Sequence, residues 1–261
     1  MIHLKSKEEL KIMAEGGRIL NQVMDKLLDA LDEGIEMKQL DSLAESEIKK
    51  RGAQPSFKMV PGYHWSICAC VNDIVVHGIP TSYKAKIDDL IGIDMGVFYK
   101  GFHTDSSWSV RVGGSSTELA KKIDNFLLVG RNALDKAIDT AFIGNHIHDI
   151  SRVIETTVKN AGFSVVKSLI GHGVGKNLHE EPEIPGFISK PRLKTPRIEN
   201  GLTIAIEVIY NLGSPEVVYG SDGWTISTKD GKLSGLFETT VAATDHGVIL
   251  LSKKYGPSGD N

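Results

Sequence analysis

Two stretches of this chain, 110 positions apart, carry the same punctuation, and that repeat limits the fold more than any other feature. Gly34 and Gly52 bracket one helical segment, and Gly144 and Gly162 bracket another of equal length. Between them Leu40, Leu43, Glu45, Ile48 and Lys49 stand in register with Ile150, Val153, Glu155, Val158 and Lys159. Upstream, Asp25, Lys26 and Asp29 match Asp135, Lys136 and Asp139. Ile12, Ile19, Leu20, Val23, Leu27 and Leu31 recur at helical spacing, so the first half opens with amphipathic helices at about 7–31 and 37–51, the second ended by Gly52. Each helical pair leads into strand-like sequence and a His-x-x-Pro tetrapeptide, His77 to Pro80 and His179 to Pro182. The expectation is an α+β chain of two similar halves, about 1–112 and 113–252, facing each other across a sheet, with 253–261 as a tail.

Strand signals follow the helices. Residues 90–99 and 102–112 read as a hairpin turned at Lys100-Gly101, and 203–211, 224–229 and 236–243 as strands of the second half. Residues 182–200 hold four prolines and the basic run Lys190, Arg192, Lys194, Arg197, the pattern of an exposed, solvated loop; ribosomal RNA is the alternative contact for those charges.

Composition removes several classes of function. With 41 % hydrophobic and 24 % charged residues and a net charge of −3, the chain reads as a soluble globular protein with no general attraction for DNA or an anionic membrane. The first ten residues lack the apolar core of a signal peptide, and no run approaches the ~18 apolar residues of a membrane span. The two cysteines, Cys68 and Cys70, alternate on one apparent strand and are poorly placed to bridge each other, which points to a reducing cytoplasm. Nothing in the sequence demands more than a monomer.

Five residues stand out against their surroundings: Asp94, Asp105, His172, Glu207 and Glu238. Asp94 lies in Ile-Gly-Ile-Asp-Met-Gly-Val-Phe and Glu207 in Leu-Thr-Ile-Ala-Ile-Glu-Val-Ile-Tyr, where an unpaired carboxylate costs several kcal/mol. A turn aspartate or an edge-strand glutamate would explain any one of them, but not all together. The hairpin would set Asp94 and Asp105 side by side. Glycines around His172 leave room for a ligand; the same glycines weakly resemble a phosphate loop, without its lysine spacing. Four carboxylates and an imidazole form a hard, oxygen-rich set suited to a pair of divalent metals, which would balance their charge of about −4.

These motifs together resemble the methionine aminopeptidases of the short, first type. The resemblance rests on Val71-Asn-Asp-Ile-Val-Val-His-Gly-Ile-Pro80, the Asp94/Asp105 pair with Gly-Phe-His-Thr-Asp, Gly171-His-Gly-Val-Gly, His179-Glu-Glu-Pro182 and Phe237-Glu-Thr, and it runs from about Ser6 to Ser252. It implies a single catalytic domain over 1–261 with the pita-bread fold, two pseudo-symmetric halves with helices outside a curved antiparallel sheet. It implies that Asp94 binds one metal, that His172 and Glu207 hold the other, and that Asp105 and Glu238 bridge them. The metals would be Co, Mn, Fe or Zn. The implied reaction is hydrolytic removal of the amino-terminal methionine from nascent polypeptides with a small second residue, by a water that the dinuclear site activates. Glu207 would take that water's proton, His179 would stabilise the oxyanion, and His77 would contact substrate beside it. Tyr63, Cys68 and Trp224 match the methionine pocket.

Four positions depart from the family pattern: Leu178, Val208, Leu236 and Thr239. They predict weaker affinity for methionine substrates than the family norm. Two further readings share the fold. One is an X-Pro aminopeptidase or prolidase, whose members generally carry an extra amino-terminal domain for which Asp94 comes too early. The other is a non-catalytic pita-bread binding module, against which all five ligand positions argue.

Overall fold

The computed structural model describes residues 2–252, and the tail expected at 253–261 lies outside them. The first half runs α1 (Lys7–Ala30), α2 (Met37–Lys50), β1 (Gln54–Pro55), β2 (Cys68–Val71), β3 (Ile74–Val76), β4 (Leu90–Tyr99) and β5 (Phe102–Arg111). The second runs α3 (Glu118–Thr140), α4 (Ile147–Asn160), β6 (Ser164–Val165), β7 (Gly171–Gly173), β8 (Glu180–Ile184), β9 (Thr203–Asn211), β10 (Val217–Tyr219), β11 (Ile226–Thr228), β12 (Ser234–Thr244) and β13 (Gly247–Leu250). The 110-residue offset holds at both ends of α2 and α4 and again at β1 and β6.

The same local chemistry stops and starts each helical pair. Gly34 and Gly144 have φ of 86° and 96°, and Gly52 and Gly162 have 73° and 83°. All four occupy the left-handed region, where a side chain costs backbone strain. At the start of α2 the Gln39 side chain accepts from Glu36 N at 2.9 Å, and at the start of α4 Asp149 accepts from His146 N at the same distance. Even the surface ion pair repeats, Lys49 with Glu45 at 2.7 Å and Lys159 with Glu155 at 2.6 Å.

One ten-stranded sheet takes strands from both halves in the order β1-β4-β5-β12-β9-β7-β8, with β2 on β4, β6 on β9 and β13 on β12; every pairing is antiparallel. A small sheet, β10-β11-β3, stands apart. Alternation assigns the faces. Ile91, Ile93, Met95 and Val97 of β4 and Ile204, Ile206, Val208 and Tyr210 of β9 belong to the main core with Leu20, Leu27, Phe126 and Ile154 of the helices. Asp94 and Glu207 therefore point to the opposite face. The β4–β5 hairpin turns where Lys100 and Gly101 have φ of 46° and 91°, two left-handed residues whose twist suits a two-residue connection.

Two stretches differ from their expected form. The strand expected at 224–229 is only β11, because Asp222 draws the chain into a turn by accepting from Trp224 N and Thr225 N, both at 2.8 Å. The segment 182–200 is not all exposed loop. Pro182 and Ile184 are buried in β8, and Ile198 is buried in the core. Within the basic run Arg192 is committed to Asp149, its Nε 2.9 and 2.8 Å from the two carboxylate oxygens.

Candidate metal centre and substrate pocket

Asp94 and Asp105 reach the same place because the hairpin sets Asp94 across from Ser107 and Asp105 across from Gly96, so that the two acids stand diagonally on one face of neighbouring strands, with Ser56 and Phe57 packed over Gly96. From the second half, β12 and β9 place Glu238 and Glu207 directly opposite each other. The two halves meet at β5 and β12 with Glu238 across from Ser107. His172 arrives on β7, against β9 at Ala205. The five side chains line one cavity of about 140 Å³ together with His77, His179, Tyr63, Cys68 and Trp224. All ten residues singled out in the sequence thus share one space.

The cavity has an acidic end and an apolar end. At the acidic end one ligand atom each from Asp105, His172 and Glu238 lie within 4.8 Å of one another, a convergence of donors of the kind that holds a cation. His172 Nε2 is 3.5 Å from Glu207 Oε1 and 4.0 Å from Glu238 Oε1. Its Nδ1 is 2.9 Å from the Gly173 carbonyl, which can only accept, so the proton sits there and the Nε2 lone pair faces the carboxylates. Burial, with His179 beside it, lowers His172 to about 4, so the ring is neutral. Asp94 Oδ1 and Glu238 Oε1 are buried and accept no hydrogen bond from any described residue. Lone pairs converging from carboxylates and an imidazole, two of them without donors, fit a cation and little else.

Electrostatics carry the same message. Burial raises Asp94, Glu207 and Glu238 well above the ordinary carboxylate range, and the neighbouring carboxylates push them further. Burial lifts Asp105 to about 7 despite the Ser106 N–H that favours its anion. His77 and His179 are held below the ordinary histidine range by desolvation, His77 also by His179. The His179 ring stands edge-on to His172, centroids 4.4 Å apart. His77 has φ of 56°, a left-handed conformation that turns the chain out of β3 at the cavity wall.

At the apolar end Tyr63 meets Trp224 edge-on at 5.0 Å, and its hydroxyl donates to the Ile67 carbonyl at 2.8 Å while lying 3.2 Å from Cys68 Sγ. Burial, then Asp94, pushes the Cys68 thiol well up, so it stays protonated. Of the four departures, Leu178 and Leu236 line this cavity. Val208 faces the helices, and Thr239 bonds the carbonyl and hydroxyl of Ser252 at 2.9 and 2.8 Å.

Sequence reasoning missed Phe57, Val60 and Val76 in the wall; an apolar pocket residue looks like any core residue. It also missed the hydroxyls along β5 and β12. Thr240 Oγ1 accepts from Asp105 N at 2.9 Å and donates to Asp105 O at 2.7 Å. Ser109 Oγ does the same for Leu236 N and O at 3.1 and 2.8 Å, and Ser106 Oγ donates to Glu238 O at 2.9 Å. Only register could have revealed them.

A sheet of two repeated halves, helices outside and this constellation on the inner face, is the pita-bread arrangement. The profile of metallopeptidase family M24 matches residues 11–245. Methionine aminopeptidase 1 of Bacillus subtilis is 42 % identical over 253 residues, 97 % of this chain and 100 % of that protein. The methionine aminopeptidase of Clostridium perfringens is 40 % identical over 252 residues, 97 % and 99 % of the two chains. Among solved structures, methionine aminopeptidase from Thermotoga maritima superposes with a TM-score of 0.91 at 32 % identity, over 97 % of this chain and 100 % of that one. Prolidase from Pyrococcus furiosus shares the fold with a TM-score of 0.77 at 21 % identity, over 97 % of this chain and 66 % of that one. The chain belongs to metallopeptidase family M24.

Proposed function

We propose that this chain is a methionine aminopeptidase, removing the amino-terminal methionine from nascent polypeptides whose second residue is small. The observation that carries the reading is the two-ended cavity, with a cation-demanding acid cluster at one end and an apolar socket of Tyr63, Cys68, Leu178 and Trp224 at the other. High identity to bacterial methionine aminopeptidases over nearly their whole length supports it.

In this reading Asp94, Asp105, His172, Glu207 and Glu238 would together hold two divalent ions. Bound there, such ions supply Lewis-acid polarisation and a lowered water pKa. Glu207, beside His172 in the wall, accepts the proton of the attacking water. His179 donates to the carbonyl oxygen as negative charge develops on it, a contribution of ~3 kcal/mol in comparable sites. His77 lines the same wall and contacts the substrate backbone. The apolar socket takes the thioether side chain, for which thiol and ring surfaces are well matched. The carboxylates meet the substrate's α-amine, which confines cleavage to the first peptide bond. We place the reaction in the cytoplasm, carried out by a monomer; the free, buried Cys68 and Cys70 are consistent with a reducing compartment, and no helix among the described residues is long and apolar enough to cross a membrane.

The test is release of methionine from Met-Ala-Ser, with Met-Leu-Ser and Ala-Pro-Ser alongside, after chelation and reloading with Mn²⁺, Fe²⁺ or Co²⁺. Rapid cleavage of the first peptide alone is expected. Cleavage of Ala-Pro-Ser alone would assign an X-Pro peptidase, and silence on all three a binding module.

A further inference from the structure

Lys5 precedes α1 and would ordinarily lie in solvent, yet its side chain is only 1 % exposed. Its Nζ is 2.6 Å from Glu180 Oε2, on a side chain 10 % exposed, and donates to the His3 carbonyl at 3.0 Å. Its backbone N–H donates to the Gly201 carbonyl at 2.7 Å. The space around the pair is closed. A Cβ on Gly175 would come within 2.4 Å of Lys5 Cε and 2.9 Å of Glu180 Oε1, and a Cβ on Gly201 within 2.5 Å of the Lys5 carbonyl oxygen. The other carboxylate oxygen of Glu180 accepts from Asn177 N at 3.0 Å, and His103 N of β5 donates to the Gly175 carbonyl at 2.7 Å. The loop 175–180, which carries His179, is therefore held by β5 at one end and by Lys5 at the other.

The exposed pairs of α2 and α4 act locally and weakly. A buried pair differs: desolvation offsets much of its attraction, so what it secures is geometry, while removing one partner leaves a stranded charge. Burial raises the Glu180 carboxyl, but Lys5 and the Asn177 N–H outweigh burial and keep it ionised, below the ordinary range.

We propose that Lys5 and Glu180 are positioning residues for His179, the segment before α1 fixing through their ion pair where the His179 ring stands against His172. The proposal rests on the role given to His179 in the proposed function.

The full-length, metal-loaded protein tests it, with Met-Ala-Ser turnover, metal affinity by calorimetry and amide hydrogen exchange over 175–180. Lys5→Met is expected to lower kcat about 10- to 100-fold, the scale of a displaced catalytic group, with KM and metal affinity unchanged and faster exchange in the loop. Added to His179→Ala, it is expected to cause no further loss. A loss that multiplies in the His179→Ala background, or a metal affinity that falls with kcat, would make the pair a general prop and overturn the proposal. Should Lys5→Met misfold around a stranded Glu180, the double variant Lys5→Met/Glu180→Gln carries the same test, and its retaining full kcat with slow loop exchange would overturn it too. If His179→Ala leaves kcat untouched, the role of His179 fails instead; loop exchange still reads the strap, and unchanged exchange in Lys5→Met overturns the proposal.

Discussion

Glu207 and Glu238 sit directly opposite each other on neighbouring strands, both turned into the same cavity. Like charges in that relationship destabilise even an exposed sheet by about 0.2–1 kcal/mol. Here burial sharpens the conflict and drives both carboxyls toward their neutral forms. Removing one charge should therefore help the metal-free fold and harm the loaded one. Glu238→Gln is expected to raise the stability of chelated protein by on the order of 1 kcal/mol and to abolish tight metal binding. Denaturant melts with and without Mn²⁺ check both halves of this prediction; a chelated variant less stable than wild type would contradict it.

Asp105 supplies a pH signature. Its folded-state value of about 7 lies above the ~3.9 of an unfolded aspartate, so the native state binds the proton more tightly. The stabilisation this gives chelated protein is complete below about pH 4 and is lost as pH rises through 7. Asp105→Asn is thus expected to match wild type near pH 4 and to exceed it by up to about 4 kcal/mol at pH 8 when both are metal-free. Since protons compete with metal for the same oxygens, wild-type metal affinity should climb across this window. Melts at four pH values and one calorimetric series settle the matter.

Trp224 is half-buried against Tyr63 and covers the apolar end of the cavity. If it binds the methionine side chain equally in ground and transition states, Trp224→Ala should raise KM about 10-fold and leave kcat nearly unchanged. A fall in kcat at constant KM would move Trp224 into transition-state binding.

How much of this was legible before the structure depends on what each residue reports. Asp94, Glu207 and Glu238 announced themselves because a carboxylate in a largely apolar strand has no inexpensive explanation. The helices and the β4–β5 hairpin were readable from periodicity and from Lys100-Gly101. Val208 and Thr239 looked like changes to the site, yet each lies one position from a cavity carboxylate, and the strand's alternation turns it away. Lys5 was invisible: a lysine near a chain start reads as solvated, and only tertiary packing buries it under Gly175. Thr240 was hidden for a similar reason, since its hydroxyl gains meaning only once β12 is in register with β5.

The repeated glycines allow a test of the duplicated architecture through stability alone. A Cβ on Gly52 or Gly162 would meet nothing within 4 Å, so substitution costs only the left-handed backbone. Gly52→Ala and Gly162→Ala should each cost about 1 kcal/mol, and the double variant about twice that, as expected of distant sites. Asn at either position should cost less, because it tolerates this conformation better. Chemical denaturation with activity followed in parallel checks each of these variants.

The acids stand on both sides of the seam between β5 and β12. Asp94 and Asp105 come from the first half of the chain and Glu207 and Glu238 from the second, so neither half alone holds the full set. A cation bound there would act as a clasp across the sheet, favouring the folded chain over the unfolded one, and its removal would loosen the join between the halves as well as the site.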